Sequence, residues 1–356
     1  MKKKIVVAVI DSGLDRKDYY IKERNIQEFK YDKSGFEICN SSSLNTHGTE
    51  VSKVIYKEAP NVEIISVQIL KKNNHCFLSA LIKAIEFCIQ KKVDVINMSL
   101  GVCNITSEKL RQLYDICLKA TNENIVLFAA EHNNPNMKSY PANFSNIVGI
   151  KTISGMQEYC RLSYEEKMIS FSDSLVYVPN KIKSTIRNGN SFLCPLMTGL
   201  YCKFVESRKN EQYSFLDFIS NFSKVENVSK VFLNKYEESD RNYVVGKKVL
   251  FFSDNMEDNN LQIFNMYKGV CNIALCFDDI YQKPIIDIVP ILKEADILFI
   301  GVLSGKFIYE NEKYMKKLIT LLAEHIEIIT VFPILNTYER LELMKEKGNI
   351  IKSIYK

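Results

Sequence analysis

The sequence predicts an α/β protein of two units, each built on a parallel β-sheet with helices on both faces. Short apolar runs bounded by turn residues alternate with segments of helical periodicity. The runs are nearly continuously apolar, as strands buried on both faces must be. The alternation stops once, between about residues 206 and 243, and then restarts. Repeated strand–helix–strand order of this kind gives a parallel sheet.

The first unit, which we place at residues 1–205, contains five predicted strands and three predicted helices. The apolar runs predict strands at Ile5 to Ile10, Val62 to Leu70, Val93 to Leu100, Asn124 to Ala130 and Asn146 to Ile153. The amphipathic segments between them predict helices at residues 48–59, 77–92 and 107–123.

Residues 206–243 are polar and charged, and we interpret them as a connecting region with one or two helices. Beyond it, residues 244–356 predict a second, smaller α/β domain, Rossmann-like or flavodoxin-like by its alternation. Its turns lack the GxGxxG and GxxxxGK[ST] patterns, so no nucleotide or other cofactor is predicted. We expect this domain to dock on the first, to extend substrate recognition, or to mediate assembly as a homo-oligomer or with a partner protein. The sequence does not choose among these roles.

The composition excludes several classes of function. A hydrophobic fraction of 46% with 25% charged residues is typical of a folded protein. The net charge of +5 is small and the lysines are scattered among acidic residues, which argues against nucleic-acid binding. No run reaches the roughly 18 apolar residues of a membrane span. The apolar run at Ile5 is too short for a signal peptide, and the ten cysteines follow no disulfide or metal pattern. We therefore expect a cytoplasmic protein without a metal.

Four short motifs carry side chains suited to catalysis. DSG places Asp11 at the end of a strand, and HGT places His47 at the start of a helix. AAEHNN places Asn133 just beyond a strand, and NGNS places Ser191 where a helix begins. We expect Pro195 to lie in the first turn of that helix, where a proline is tolerated. Functional groups of an open parallel sheet gather outside the carboxyl ends of its strands, so we expect these four to converge.

In the order Asp, His, Asn and Ser, these motifs resemble the subtilisin-like serine peptidases. The resemblance covers roughly residues 1–205 and includes VDVINMSLG and SYPANFSNIVGI. It implies a subtilisin-like sheet and a serine endopeptidase, with His47 as general base, Asp11 orienting it, Ser191 as nucleophile and Asn133 as oxyanion donor. It also implies that the substrate backbone pairs with the segment Ser99, Leu100 and Gly101.

The sequence departs from the family at two motifs. At the nucleophile the family usually has Gly-Thr-Ser, in which the serine is the nucleophile. This chain has Gly189, Asn190 and Ser191 there, with Leu193 where alanine is common. The family has Gly-Asn at the oxyanion motif, whereas this chain has His132 and Asn133. An ungapped alignment places Asn133 at the family's Asn, and a one-residue slip would place His132 there instead. Asn190 can still donate a hydrogen bond, and His132 would reshape the wall of the pocket for the P1 side chain.

The leading hypothesis is an intracellular endopeptidase with a narrow substrate, such as a peptide precursor bound by β-augmentation. The alternative is a catalytically inactive peptide-binding or scaffold protein of the same fold. An ester-cleaving α/β hydrolase is disfavoured because its nucleophile motif and triad order differ.

Overall fold

The chain divides into two compact units, Met1–Val178 with Ile186–Glu226 and Pro179–Thr185 with Asn227–Lys356. The computed structural model describes residues 4–32, 35–39, 45–71, 75–152, 163–165, 167–171, 175–180, 185–208, 212–223, 245–256, 258–268, 271–275, 285–330, 334–335, 339 and 351–353. The predicted connecting region lies partly outside these residues, and the predicted domain boundaries stay predictions.

The first unit is built on a nine-stranded sheet of order β3-β2-β4-β1-β5-β6-β7-β9-β8. All neighbouring strands are parallel except β3 on β2 and β8 on β9. The strands are β1 (Val6–Asp11), β2 (Ile26–Tyr31), β3 (Phe36–Ile38), β4 (Glu63–Gln68), β5 (Val95–Met98), β6 (Val126–Ala130), β7 (Val148–Thr152), β8 (Ser163–Glu165) and β9 (Met168–Phe171). β10 (Leu175–Val178) and β11 (Thr185–Asn188) form a separate pair.

Five helices accompany these strands in the part of the chain that the structure describes. They are α1 (His47–Glu58), α2 (Leu78–Gln90), α3 (Ser107–Asn122), α4 (Asn190–Ser207) and α5 (Phe215–Ser223). The predicted strands match β1, β4, β5, β6 and β7, and the predicted helices match α1, α2 and α3. The predicted α/β class with parallel sheets is therefore confirmed. β1 lies between β4 and β5, and its residues Ala8 and Ile10 belong to one apolar core with buried residues of α2 and α3.

The second unit has a five-stranded, all-parallel sheet of order β13-β12-β14-β15-β16. Its strands are β12 (Lys248–Phe252), β13 (Asn272–Leu275), β14 (Ile297–Ile300), β15 (Glu327–Thr330) and β16 (Ile351–Ser353). The helices are α6 (Asp258–Lys268), α7 (Ile285–Leu292) and α8 (Gly305–Leu322). Numbered along the chain this order is 2-1-3-4-5, the flavodoxin-like order, so of the two predicted topologies the structure has the flavodoxin-like one.

Buried polar side chains close the carboxyl edge of this second sheet between β12 and β14. Asn260 is 1% exposed; its amide donates to Ser253 Oγ at 2.6 Å and to the Val302 carbonyl at 2.9 Å, and it accepts from the Val302 N–H at 2.8 Å. Asp254 accepts from the Ser304 N–H at 3.0 Å, where α8 begins. The loops after the two strands are thus joined by side chains of the unit itself.

None of the helices in the described ranges is long and apolar enough to cross a membrane. In those ranges the free thiols include those of Cys76, Cys103 and Cys271 and of the buried Cys88, Cys117, Cys194 and Cys202.

Helices α1 and α4 pack closely because α4 has a glycine at their contact. A Cβ placed on Gly199 would lie 2.8 Å from Glu58 Cβ and 3.1 Å from the Ile55 carbonyl oxygen. A Cβ contact under 3.0 Å forces one helix to shift. The small residue therefore sets how closely the two helices approach.

Helix propensity alone would predict that Gly199→Ala stabilises the protein by about 0.5–1 kcal/mol. We expect the opposite, a loss of about 1–3 kcal/mol in the free energy of unfolding, because the methyl group overpacks the contact with α1. Urea denaturation followed by circular dichroism measures this. The control Ser79→Ala, at an exposed position of α2, should change the value by less than about 0.5 kcal/mol. A stabilised Gly199→Ala variant would contradict the close contact.

Candidate active site

The imidazole of His47 is hydrogen-bonded to a buried carboxylate. Asp11 ends β1 and is 1% exposed, and its Oδ1 and Oδ2 lie 2.9 and 3.0 Å from His47 Nδ1. Because a carboxylate can only accept, Nδ1 carries the proton and donates it. The neutral ring then has its lone pair on Nε2. The Ser12 N–H donates to the same carboxylate at 2.7 Å.

Glycines allow the start of α1 to lie against the turn after β1. The Gly48 N–H donates to Ser12 Oγ at 3.0 Å, and a Cβ on Gly48 would collide with the Gly13 carbonyl oxygen. Gly13 itself has φ +85°, in the left-handed region that favours glycine. The DSG and HGT motifs therefore contact each other directly, which places His47 over Asp11.

Three charged groups act on the His47 ring. Burial lowers the pKa of His47, but the charge and hydrogen bond of Asp11 and the charge of Glu50 raise it, and Arg187 lowers it. The net pKa lies above the ordinary value of 6.5. Protonation of His47 therefore stabilises the fold, fully at pH below about 6.5, and this contribution is lost as the pH rises through the pKa of the folded state.

Ser191 is the second residue of α4 and is half-buried. Its neighbour Phe192 contacts the His47 ring edge-on, with centroids 5.3 Å apart. Its other neighbour, Asn190, donates its backbone N–H to Asn133 Oδ1 at 2.9 Å. Ser191 thus lies between a residue in contact with His47 and a residue in contact with Asn133. The amino end of α4 also carries the positive end of the helix dipole.

The first-turn position that the sequence suggests for Pro195 is wrong. Pro195 is the sixth residue of α4 rather than part of its first turn, because the helix begins at Asn190. A proline there has no N–H for the carbonyl four residues earlier, which is that of Ser191. The usual intrahelical donor to the Ser191 carbonyl is therefore missing.

Asn133 follows β6 and is held by the turn before Ser191. Its Oδ1 accepts from the Asn190 N–H, and since a backbone N–H only donates, the acceptor must be the amide oxygen. Its Nδ2 therefore has the free donors. Gly189, with φ 119°, leaves room for this side chain, because a Cβ there would lie 3.1 Å from Asn133 Oδ1.

The Asn190 side chain is buried and joins three segments. Its Oδ1 accepts from the Thr152 N–H and hydroxyl at 2.9 and 2.8 Å. Its Nδ2 donates to the carbonyls of Glu131 and His132 at 3.1 and 3.2 Å. The predicted substrate contact of Asn190 stays a prediction, since in the structure its amide is engaged by these protein groups.

The predicted backbone-pairing segment follows β5, the strand between β1 and β6. Ser99 is 6% exposed and its Oγ accepts from Asn97 Nδ2 at 3.1 Å, whereas Leu100 is half-buried and Gly101 is exposed. A Cβ on Gly101 would lie 2.8 Å from Ser139 Oγ. The glycine therefore lets this segment approach the loop after β6, which a bridge between Val102 and Tyr140 also joins.

Glu131 organises the loop after β6 and is not among the site residues predicted from the sequence. Its Oε1 accepts from the His132 N–H at 2.8 Å and from the Ser139 N–H and hydroxyl at 2.6 and 2.8 Å. Its Oε2 accepts from Asn143 Nδ2. His132 itself is half-buried, and its Nδ1 accepts from the Asn134 N–H at 2.9 Å. The feature of the sequence that could have indicated this role of Glu131 is the position of an acidic residue directly after an apolar strand.

Among the described residues there is no group of three or more His, Cys, Asp or Glu that could hold a metal ion. The absence of a metal stays a prediction.

A parallel sheet with an Asp–His pair at its carboxyl edge, beside a serine at a helix start, is an arrangement that serine hydrolases use. The profile of the subtilase family matches residues 2–214, and the chain belongs to this family.

Curated relatives show the same similarity at low identity. The minor extracellular protease Epr of Bacillus subtilis (strain 168) is 29% identical over 181 residues, which is 48% of this chain and 26% of that protein. The thermophilic serine proteinase of Bacillus sp. (strain AK1) is 26% identical, over 57% of this chain and 53% of that protein. The chain thus spans about a quarter and about half of these two relatives. The major intracellular serine protease of Bacillus subtilis (strain 168) is 25% identical, over 59% of this chain and 71% of that protein.

Solved structures are similar over a comparable part of the chain. The prenylagaramide maturation protease PagA has 19% identity and a TM-score of 0.49, over 59% of this chain and 79% of that one. A lanthipeptide protease has 17% identity and a TM-score of 0.49, over 64% and 82%.

We expect Asp11→Asn to lower the pKa of His47, because the charge that raises it is removed while an acceptor oxygen remains. Histidine-selective ¹H–¹⁵N NMR across pH measures this, with His47→Gln to assign the signal among the four histidines. Asp15→Asn, which removes one carboxylate from the same loop, is the control and should leave the His47 titration unchanged. An unaltered pKa in Asp11→Asn would mean that the carboxylate does not act on the ring.

Proposed function

We propose that this chain is a serine endopeptidase with Asp11, His47 and Ser191 as its triad and Asn133 as an oxyanion donor. The observation that carries the proposal is the hydrogen bond from His47 Nδ1 to the buried Asp11, because it leaves Nε2 as the basic atom of the ring. Membership of the subtilase family supports the same reaction class.

The proposed reaction has two halves. His47 Nε2 takes the proton of the Ser191 hydroxyl as its oxygen attacks the scissile carbonyl carbon. Asp11 stabilises the imidazolium that forms, and Nε2–H then protonates the leaving amine as the carbon–nitrogen bond breaks. Water, deprotonated by the same Nε2, then attacks the acyl carbon. As the bond between this carbon and the Ser191 oxygen breaks, Nε2–H returns the proton to that oxygen.

The negative oxygen of each tetrahedral intermediate needs donors that are already oriented. We assign these donors to Nδ2 of Asn133 and to the Ser191 N–H. The hydrogen bond from the Asn190 N–H supports this assignment, because it fixes the amide oxygen of Asn133 away from the oxyanion. The buried Asn190 side chain then has a supporting role, since it holds the carbonyls of the two residues that precede Asn133.

Ser99, Leu100 and Gly101 are proposed to pair with an extended substrate by β-augmentation. The exposure of Gly101 supports this, since backbone groups at that position are accessible. His132 is proposed to line the pocket for the P1 side chain, because it lies beside Asn133 and is half-buried.

We propose that the second unit extends substrate recognition or mediates assembly. We further propose that the enzyme is cytoplasmic and has a narrow substrate, such as a peptide precursor. The free thiols of the four buried cysteines, Cys88, Cys117, Cys194 and Cys202, support a reducing compartment. A peptidase without specificity would digest the proteins of its own cell, so a cytoplasmic location favours a narrow substrate.

Labelling with a fluorophosphonate tests the proposed reaction. We expect the full-length protein to be modified at Ser191, as found by peptide mapping with mass spectrometry, because only an activated hydroxyl reacts rapidly. Ser191→Ala should abolish labelling, and His47→Ala should slow it by about 100-fold or more, since a general base contributes that much.

Two variants serve as controls in the labelling experiment. Ser207→Ala removes a serine at the other end of α4, and His325→Ala removes a histidine of the second unit. Both should label like the unmodified protein. A folded protein that is not labelled, or is labelled equally after His47→Ala, would instead favour the inactive peptide-binding scaffold.

A peptide library tests the narrow substrate separately. We expect cleavage of few sequences, identified by mass spectrometry of the products, and no general degradation of unfolded casein. A subtilisin of broad specificity is the positive control and Ser191→Ala the negative one. Casein degradation that Ser191→Ala abolishes would reject the narrow substrate but leave the reaction class intact.

A further inference from the structure

An ion pair joins the helix that begins with His47 to the strand that leads to Ser191. Glu50 lies one turn after His47 in α1 and is 7% exposed. Arg187 lies in β11, two residues before Gly189. The two side chains form a bidentate contact, with Nε to Oε2 at 2.9 Å and Nη2 to Oε1 at 2.5 Å.

We propose that the Glu50–Arg187 ion pair is a positioning device that fixes the distance between His47 and Ser191. This inference rests on the proposed peptidase function. Two parallel hydrogen bonds between a guanidinium and a carboxylate fix orientation as well as distance. Neither residue is assigned a contact with the substrate.

The need for such a device follows from how α1 is held. Its carboxyl end packs on α4 at Gly199, beside Ile55 and Glu58. At its amino end the pair holds α1 against the strand that precedes α4. A displacement of about 1 Å between reacting groups can cost about 100-fold in rate. Contacts at both ends of α1 therefore fix the position of His47 better than the contact with α4 alone.

The pair also acts on His47 through charge. The charged groups that act on the ring from the described elements are Asp11 from β1, Glu50 from α1 and Arg187 from β11. Glu50 raises the pKa of His47, whereas Arg187 lowers it. Removal of either residue breaks the same contact but moves the pKa in opposite directions. A merely structural role would not separate the two variants in this way.

The test measures the rate of fluorophosphonate labelling from pH 5 to 9 in the full chain. Glu50→Gln and Arg187→Gln should each slow labelling by about 10- to 100-fold at the pH optimum. The acidic limb of the pH profile should move to lower pH in Glu50→Gln and to higher pH in Arg187→Gln. The double variant should be no slower than the slower single variant, because both substitutions remove one contact.

Arg187→Lys separates geometry from charge. It keeps the positive charge but lacks the planar fork, so we expect slow labelling with the acidic limb close to that of the unmodified protein. Glu86→Gln and Lys83→Gln are charge-matched controls, because they neutralise an exposed ion pair within α2. Both should label at the unmodified rate.

Several outcomes would overturn the inference. These are an unchanged rate in Glu50→Gln, limb shifts of the same sign, or a double variant whose loss is the product of the single losses. Arg187→Gln leaves a buried carboxylate without its partner, so circular dichroism must first show that it is folded. If it is not, the double variant and Arg187→Lys still decide the question. Absent labelling of the unmodified protein would instead refute the proposed function.

Discussion

The burial of the Asp11 carboxylate under His47 is the constraint on which the rest of the first unit depends. A buried charge must be compensated by donors, and Asp11 receives them from His47 Nδ1 and the Ser12 N–H. These donors require the start of α1 to lie against the turn after β1, which the two glycines of DSG and HGT make sterically possible. The central position of β1 then brings the ends of β5 and β6, with their own polar residues, to the same edge.

The buried elements could be predicted from the sequence because their residues report burial directly. β1, β4, β5, β6 and β7 are apolar runs, and α1, α2 and α3 show helical periodicity. β2 was missed because its buried and exposed residues follow no regular pattern and include Glu28, an ionisable residue that is 3% exposed and accepts from the Leu14 N–H. β3 was missed because it is short and largely exposed at the edge of the sheet. β2 is stabilised by pairing with β4, which is distant in sequence, and the residues of β2 alone do not indicate this pairing.

Prediction from local sequence is limited in the same way at the candidate site. The motif residues could be proposed because their types and order carry chemistry, but the residues that position them look like ordinary surface charges. Glu50 and Arg187 are 137 residues apart, and nothing local indicates that they meet. The two departures from the family pattern also proved to be in contact, since Asn190 holds the carbonyls of Glu131 and His132. Asn190 thus supports the loop of His132 and Asn133, in which a histidine stands where the family has glycine.

The second unit has the strand order of a flavodoxin-like domain, and ligands of such sheets bind where the order reverses. Here that edge lies between β12 and β14, and the unit's own groups occupy it. The Asp254 carboxylate accepts from Ser304 N–H and Oγ at the amino end of α8, where a phosphate would otherwise bind. An anionic ligand would meet like charge there. Asn260 also joins the two loops that would have to separate. This arrangement therefore disfavours an anionic ligand at this edge of the second sheet.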